Sequence, residues 1–358
     1  MTIIDKVVKL AEQLIECNTV AGNTEENIKA INLIKQVLSE FNIEEFERNG
    51  HRSILIHNQP KGHRKFELIL NGHLDIIPVN NAAQLSPERK RGRLYGAGVM
   101  DMKSNVAAMV YAFKNKVNKT SKPIALQLVT DEETGGFDGT GLQVEEGVRA
   151  TFIISGEATG LDIENKTKGI VWADFVSGGK SAHGAYPWKG SNAIENIKRV
   201  MSEIATVFPN PDEDRWVTTY NLSQISSTNS AYNKIPSNCR LKVDLRYTPS
   251  DSEAIEGILD AIAKKTKCTI DIIVNEPAVN TPVDNPYARK LAELTKIKSP
   301  IHGEFRSANG SSDLRHFARV GCMGVEFGPI GGGMGSDKEW VDLKSLETFY
   351  EVLSDLLS

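Results

Sequence analysis

The chain has 358 residues, of which 40% are hydrophobic and 25% are charged, so it is long enough to bury large cores in two domains. Its formal net charge is −4, with the two signs interspersed along the sequence. The one cationic cluster, ERKRGR at 88–93, is typical of a solvated loop. This charge pattern argues against a nucleic-acid-binding protein.

Cysteine usage and the first residues indicate the compartment. The four cysteines are scattered without C-x-x-C spacing, which predicts free thiols in a reducing environment. The segment MTIIDKVVKLAEQLIE at 1–16 interrupts its apolar residues with charges, so it predicts an amphipathic helix and not a signal peptide. No apolar run approaches the length of a membrane span. We therefore expect a cytoplasmic protein with no membrane partner.

Helical and strand patterns alternate through the next 140 residues. A second helix is predicted behind Asn23 as N-cap, with Glu26 three residues later. The pattern then predicts a helix at 105–117 and short apolar strands at 53–58, 66–70, 124–129 and 151–155. This alternation predicts an α/β fold with a central sheet flanked by helices, and the nearly continuous apolar strands indicate that both faces of the sheet are covered.

The pattern changes at 168, where strands and two helices over about a hundred residues predict a small two-layer α+β domain. The α/β pattern resumes afterwards, with a strand at 324–328 and a C-terminal helix. The predicted organisation is one α/β domain, 1–167 with 279–358, interrupted by an inserted domain at 168–278.

Polar residues gather where the predicted strands end. Ligands bind outside the carboxyl ends of strands in open α/β sheets. One imidazole and several carboxylates at such a rim would repel one another unless cations lay among them. Nitrogen and oxygen donors without thiolates suit zinc, and carboxylate-rich sets also admit cobalt or manganese. The residues at these positions are His73, Asp75, Asp101, Glu132, Glu133 and Glu157.

Six motifs in order along the chain resemble the dinuclear-zinc exopeptidase and deacylase family, which includes acetylornithine deacetylase, succinyl-diaminopimelate desuccinylase, aminoacylase-1 and glutamate carboxypeptidase. The resemblance implies a zinc-exopeptidase-like fold with an inserted dimerisation domain, a homodimer, two divalent metal ions, and hydrolysis of an amide in an N-acyl amino acid or small peptide. The motifs are NGHLDIIPV, GRLYGAGVMDMKSNVAAM, TDEETGG, SGEATGL, GKSAHGAYPWKGSNAIENI and NKIPSNCRLKVDLRYTP.

The resemblance also implies roles for the metal ligands. His73 and Glu157 would hold one ion, Glu133 would help to hold the second, and Asp101 would bridge the two. Asp75 would accept the other ring N–H of His73 and so fix its orientation.

Four further residues receive catalytic or binding roles from the resemblance. Glu132 would be the general base, taking a proton from a metal-bridged water and later delivering it to the leaving amine. His183 would reach from one subunit into the partner's site to stabilise the oxyanion. Asn233 and Arg246 would bind the substrate carboxylate, although Arg246 also fits an exposed charge on a strand.

One expected ligand is missing from the sequence. The family has a His four residues before a late Glu, and counting back from Glu339 leads to Gly335. The last histidine is His316, in a helical segment where the pattern has no ligand. We weigh three readings: a ligand replaced by design in an inactive form, a variant that uses Asp337 or water instead, and a non-catalytic relative that binds small molecules. A weakened second metal site with reduced turnover is the resulting prediction.

Two other classes of protein compete with a hydrolase. A binding module would clamp a ligand between domains and would not need Glu132. A redox or nucleotide enzyme would need G-x-G-x-x-G after an early strand, and GPIGGGMG follows a late strand instead. Ala97 and Ser104 stand where the family commonly has Arg and Gly, so the substrate of any one member cannot be transferred to this chain.

Overall fold

Two units make up the chain in the computed structural model, which describes residues 2–358. The first unit contains the residues up to Lys166, Asn280–Ser307 and Ser312–Ser358. The inserted unit contains Thr167–Val279 and Ala308–Ser311. The predicted fold class, a central mixed sheet flanked by helices with an inserted α+β segment, is confirmed. The catalytic and dimerisation roles of the units stay predictions.

The described residues form nine α-helices. They are α1 (Ile3–Ile15), α2 (Thr24–Val37), α3 (Ser104–Lys116), α4 (Leu142–Glu145), α5 (Ala193–Val207), α6 (Ile255–Thr266), α7 (Pro286–Lys298), α8 (Leu314–Ala318) and α9 (Leu343–Leu356). None of these helices combines the length and the hydropathy that crossing a bilayer requires.

The strands form three sheets. They are β1 (Asn42–Arg48), β2 (His51–His57), β3 (Lys65–His73), β4 (Glu88–Lys90), β5 (Arg93–Tyr95), β6 (Ile124–Val129), β7 (Arg149–Ser155), β8 (Ile163–Thr167), β9 (Gly169–Gly178), β10 (Thr219–Ser226), β11 (Asn238–Tyr247), β12 (Thr269–Glu276), β13 (Val279–Asn280), β14 (Phe305–Ala308), β15 (Met323–Glu326), β16 (Gly331–Gly332) and β17 (Trp340–Asp342). The central sheet has the order β1-β2-β6-β3-β7-β15-β8-β13, with β14 beside β8. A small sheet of the first unit has the order β16-β17-β5-β4, and the inserted unit has β10-β11-β9-β12.

The centre of the large sheet is parallel and fully covered. Strand β3 runs parallel to both β6 and β7, and β15 runs parallel to β7. Every residue of β6 is buried, as is typical of a parallel strand covered on both faces. The carboxyl ends of β3, β6 and β7 therefore meet at one edge of the sheet, where the polar residues predicted from the sequence follow each strand.

The helix starts show where local patterns predict structure well and where they do not. Helix α1 has a capping box, since the Thr2 hydroxyl accepts from the Asp5 N–H and the Asp5 carboxylate accepts from the Thr2 N–H at 2.8 Å. Helix α2 begins after Asn23 as predicted, but the Asn23 side chain makes no cap hydrogen bond. The side-chain amide of Asn23 donates to the Asn18 backbone carbonyl at 2.9 Å, and the Glu26 carboxylate accepts from the Asn18 N–H at 3.1 Å. The predicted cap was wrong because these two side chains bind the preceding loop.

The inserted unit has its own core. Helices α5 and α6 pack on the antiparallel sheet. The core between them contains buried residues such as Phe175 of the sheet, Ile197 of α5 and Leu259 of α6. All four cysteines of the chain are free.

A buried carboxylate on β1 gives the fold a pH dependence. Glu44 accepts hydrogen bonds from His57 at 2.8 Å, the Gly62 N–H at 2.9 Å and Arg64 at 3.1 Å. Burial alone would raise the pKa of Glu44, but the bonds from Arg64, His57 and Gly62 outweigh it and lower the pKa to about 2. Because the folded-state pKa is depressed, this carboxylate stabilises the fold above about pH 5, and the contribution is lost as the pH falls towards 2.

We therefore expect Glu44→Gln to reduce the free energy of unfolding by about 3 kcal/mol at pH 7, and by much less near pH 3. Urea unfolding at pH 7, 5, 4 and 3 would measure this difference. Glu45→Gln is the matched control, because Glu45 lies on the same strand with its side chain 51% exposed and should contribute little. An equal loss at every pH would contradict the prediction.

Candidate metal centre

Each predicted ligand of the first unit follows a strand or begins a helix. His73 is the last residue of β3, and Glu157 lies two residues after β7. Glu132 and Glu133 form a short turn after β6. Asp101 lies in the irregular turn Val99–Lys103 that leads into α3. Residues separated by up to 84 positions in sequence therefore reach the same edge of the sheet.

Three of these residues form a cluster of possible metal donors. Their donor atoms, one each from His73, Asp101 and Glu157, all lie within 4.8 Å of one another. The His73 Nε2 atom is 2.9 Å from an Asp101 carboxylate oxygen and 4.0 Å from a Glu157 carboxylate oxygen. Among residues 2–358, no other group of three such side chains meets this criterion. One nitrogen and two oxygen donors are a set that suits zinc, cobalt or manganese.

Asp75 contacts the ring nitrogen of His73 that faces away from Asp101. The His73 Nδ1 atom lies 3.0 Å from the Asp75 backbone carbonyl oxygen and 3.6 Å from its carboxylate. The other carboxylate oxygen of Asp75 accepts from the Glu133 N–H at 2.9 Å. Asp75 therefore fixes both the imidazole of His73 and the backbone of Glu133.

The electrostatics of the cluster call for positive charge. Burial raises the pKa of Glu157 well above its ordinary value, and the neighbouring Asp101 adds to the rise. Burial likewise raises the pKa of Glu133 to about 7. Burial lowers the pKa of His73, yet its bonds with Asp101 and Asp75 raise it well above normal overall. A divalent cation would offset this crowding of partly buried carboxylates, so the residues fit one ion between His73, Asp101 and Glu157.

The second predicted ion has fewer donors. A cavity of about 190 Å³ is lined by Asp101, Glu133 and Gly335, together with apolar residues that include Ile77. Gly335 has φ +68°, and a Cβ there would lie 3.0 Å from the Ile77 Cδ1 atom. Asp337 lines a different cavity of about 400 Å³, and its carboxylate accepts from Asn80 at 3.2 Å. Glu339 also lines the cavity, but its carboxylate accepts from three backbone N–H groups. Asp101 and Glu133 are therefore the two lining carboxylates not used in this way.

Glu132 has a cationic neighbour that the sequence did not reveal. An Arg315 guanidinium nitrogen lies 3.8 Å from a Glu132 carboxylate oxygen, and Arg315 is only 5% exposed. Arg315 also donates to the Gly135 carbonyl at 2.6 Å. Burial raises the pKa of Glu132 to about 8, against the opposing charges of His73 and Arg315. The signal in the sequence was an Arg on a short helix, α8, which looks like any solvated charge until the tertiary contact is known.

Glu339 secures the turn that carries Asp101. Its carboxylate accepts from the backbone N–H groups of Gly98 at 3.1 Å, Met100 at 2.8 Å and Asp101 at 3.1 Å. Glu339 is 6% exposed. In the sequence, Glu339 only marks the position four residues after the expected ligand. In the structure, its carboxylate makes three hydrogen bonds to the Asp101 turn.

The remaining predicted residues belong to the inserted unit. His183 is exposed, and its Nδ1 atom accepts from the Ala185 N–H at 3.1 Å. The Gly184 N–H donates to the Asn233 carbonyl at 2.7 Å, so the His183 and Asn233 loops are neighbours. Arg246, on β11, makes a two-bond ion pair with Asp244 at 3.0 and 3.2 Å. Their parts in a catalytic site stay predictions.

Comparison with known proteins identifies the family. The profile of Peptidase family M20/M25/M40 matches residues 69–358. The chain belongs to this peptidase family. It is 28% identical to a succinyl-diaminopimelate desuccinylase of Ruegeria pomeroyi, over 98% of this chain and 97% of that protein. The resemblance to the zinc exopeptidases and deacylases is confirmed, and the chain is a hydrolase of amide bonds in peptides or acylated amino acids.

Solved structures share the fold. The aminopeptidase PepT of Bacillus cereus superposes with a TM-score of 0.78 at 17% identity, covering 99% of this chain and 98% of that one. The YXEP protein of Bacillus subtilis, described as a dinuclear metal binding peptidase of the M20 family, superposes with a TM-score of 0.67 at 12% identity, covering 99% and 97%. At these identities the likeness extends to the fold alone.

Proposed function

We propose that this protein hydrolyses the amide bond of an N-acyl amino acid or small peptide, with Glu132 as the general base. The observation that carries the proposal is the cluster of His73, Asp101 and Glu157 at the edge of the sheet, with the partly buried Glu132 nearby. The likeness to a desuccinylase over nearly the whole of both chains supports an acylated amino acid as substrate.

The residues of the chain divide the work in the proposed reaction. Bound divalent ions would polarise the scissile carbonyl and make water more acidic. Glu132 would take a proton from the attacking water and return it to the leaving amine, while Arg315 orients its carboxylate. Asp75 and Glu339 would keep the donors in place through their bonds to His73, Glu133 and the Asp101 turn.

The inserted unit would contribute recognition. We propose that His183 donates a hydrogen bond to the developing oxyanion of the partner's site in a homodimer, as the resemblance implies. Asn233 and Arg246 would bind the substrate carboxylate, for which a guanidinium is well shaped. Because Arg246 is already paired with Asp244, substrate would have to replace that partner. The four free cysteines support a reducing, cytoplasmic location.

We propose that the ion position between Asp101 and Glu133 is weak and that turnover is reduced as a result. The cavity at Gly335 supports this, because it supplies no nitrogen donor in place of the expected His. Asp337 is a poor substitute, since it lines the neighbouring cavity and pairs with Asn80.

Restoring the missing donor should therefore strengthen the second position. We expect the double variant Gly335→His with Ile77→Ala to bind one more Zn²⁺ per chain and to gain turnover. The second substitution is needed because a Cβ at 335 would meet Ile77 at 3.0 Å. A side chain at a left-handed φ costs about 1–2 kcal/mol, so the variant should also unfold at lower urea. Gly335→Ala with Ile77→Ala is the matched control and should gain neither ion nor activity, whereas equal gains in both would contradict this account.

The test of the proposed function is release of free amine from a panel of N-acetyl and N-succinyl amino acids and dipeptides. Chelated protein should be inactive, and added Zn²⁺, Co²⁺ or Mn²⁺ should restore hydrolysis of at least one substrate. A protein that binds these ions and substrates yet hydrolyses none, even after the Gly335→His repair, would be a binding relative and not an enzyme.

A further inference from the structure

Asn105 connects the two segments that carry carboxylate donors of the metal cluster. It lies in the first turn of α3 and is fully buried. Its side-chain amide donates to the Gly156 carbonyl at 2.6 Å and to the Met100 carbonyl at 3.1 Å. Gly156 directly precedes Glu157, and Met100 directly precedes Asp101. One NH₂ group therefore joins the backbones of both donors.

The orientation of this amide follows from its partners. Carbonyl oxygens only accept hydrogen bonds, so the NH₂ end must face Gly156 and Met100. The side-chain oxygen of Asn105 lies 3.0 Å from the Ser104 hydroxyl, whose single proton is shared with the nearer Val99 carbonyl. Both hydrogens of the amide are thus used inside the protein, and these two bonds give the side chain one well-defined position.

The two joined segments are otherwise held separately. Glu339 secures the Asp101 turn through three N–H groups, and the Gly156 N–H donates to the Asn71 carbonyl at 3.0 Å on β3. Asn105 instead donates to a backbone carbonyl in each segment, and its partner Gly156 lies 51 residues away in sequence. The link by Asn105 fixes the distance between the backbones of these two segments. The spacing between the carboxylates of Asp101 and Glu157, which must be directed at the same ion, depends on that distance.

We propose that Asn105 is a positioning residue that sets the separation of Asp101 and Glu157 and so tunes the affinity of the metal cluster. The inference rests on the proposed function, since it assumes that these two carboxylates hold an ion. Asn105 itself does not touch the ion or the substrate. Its effect is on ligand geometry, which outer hydrogen-bond partners typically support by 10- to 100-fold in metal affinity, order of magnitude only.

Asn165 offers a matched control. It is 3% exposed in the same unit, and its amide donates to the Thr281 carbonyl at 2.6 Å, the same distance as the Asn105 bond to Gly156. Neither Asn165 nor Thr281 adjoins a predicted ligand. Asn105→Ala and Asn165→Ala should therefore both weaken the metal-free fold, and only the first should weaken metal binding.

The experiment is Co²⁺ titration of the full chain, followed by the visible absorption of bound Co²⁺ and by calorimetry, with urea unfolding of the metal-free proteins alongside. We expect Asn105→Ala to lower Co²⁺ affinity by about 10- to 100-fold and to alter the absorption spectrum. Asn165→Ala should change affinity by less than about threefold. Asn105→Ser retains one hydroxyl donor and should fall between the unmodified protein and Asn105→Ala.

The outcomes of this titration separate the role of Asn105 from the proposed function. Unmodified affinity and spectrum in Asn105→Ala would overturn the role of Asn105, and so would an equal affinity loss in Asn165→Ala. If Asn105→Ala does not fold, Asn105→Ser decides the question: a loss of affinity supports the role and unmodified affinity overturns it. If the unmodified chain binds no Co²⁺, the proposed function fails, and the role of Asn105 fails with it.

Discussion

Replacing Glu132 with Gln should lower kcat for amide hydrolysis by roughly 100- to 10,000-fold while leaving the metal content per chain unchanged, because a positioned general base typically contributes that much. Gln has nearly the same shape and would occupy the same place near Arg315, but it cannot take a proton from water. The loss should fall on kcat, since the substrate contacts proposed for the inserted unit remain. Initial rates on the best substrate of the acyl amino acid panel would measure it.

Glu146→Gln is the control for this prediction, because Glu146 is an exposed acid of the same unit. It should keep the unmodified rate. A Glu132→Gln protein that retains half of the activity would contradict the assignment of the general base. Loss of activity together with loss of bound metal would instead mean that Glu132 is a ligand.

Replacing His73 with Ala should lower the affinity of the tight metal ion by more than about 100-fold, because loss of an outer partner alone typically costs 10- to 100-fold. His73 supplies the only nitrogen of the three-donor cluster. Its removal leaves the two carboxylates of Asp101 and Glu157 as the remaining donors of the cluster. Calorimetric titration with Zn²⁺ would measure the change.

His302→Ala tests whether any histidine of this unit has the same effect, since His302 lies outside the cluster. We expect it to bind Zn²⁺ like the unmodified chain. Equal affinities for His73→Ala and the unmodified protein would show that the cluster is not the metal site. Activity should be lost in His73→Ala at low Zn²⁺.

The sequence predicted the fold class and the grouping of polar residues for definite reasons. Apolar runs such as the one at 124–129 are fully buried strands in the structure, because period and length are local properties. His73 and Glu157 come together because parallel strands end at one edge of the sheet, which the strand-helix alternation already implied. Three of the six motifs that carry the family resemblance, NGHLDIIPV, TDEETGG and SGEATGL, lie at these same strand ends.

The supporting contacts could not be predicted in the same way. Arg315 reaches Glu132, and Glu339 binds the turn at Met100 from 239 residues away. Asn105 joins Gly156 and Met100 through an amide that appears in sequence as one polar residue in an apolar helix. Such bonds depend on the packing of distant segments. The predicted cap at Asn23 failed for a local reason, because the side chains of Asn23 and Glu26 bind the backbone of Asn18 instead.

We propose that the first unit binds one divalent ion tightly at His73, Asp101 and Glu157, and a second ion weakly beside Gly335. Equilibrium dialysis of the chelated chain against a series of Zn²⁺ concentrations, with elemental analysis of the protein, tests it most directly. We expect one bound ion per chain at low Zn²⁺, and a second bound ion only at a Zn²⁺ concentration at least about 100-fold higher. No tightly bound ion, or two ions of equal affinity, would contradict it.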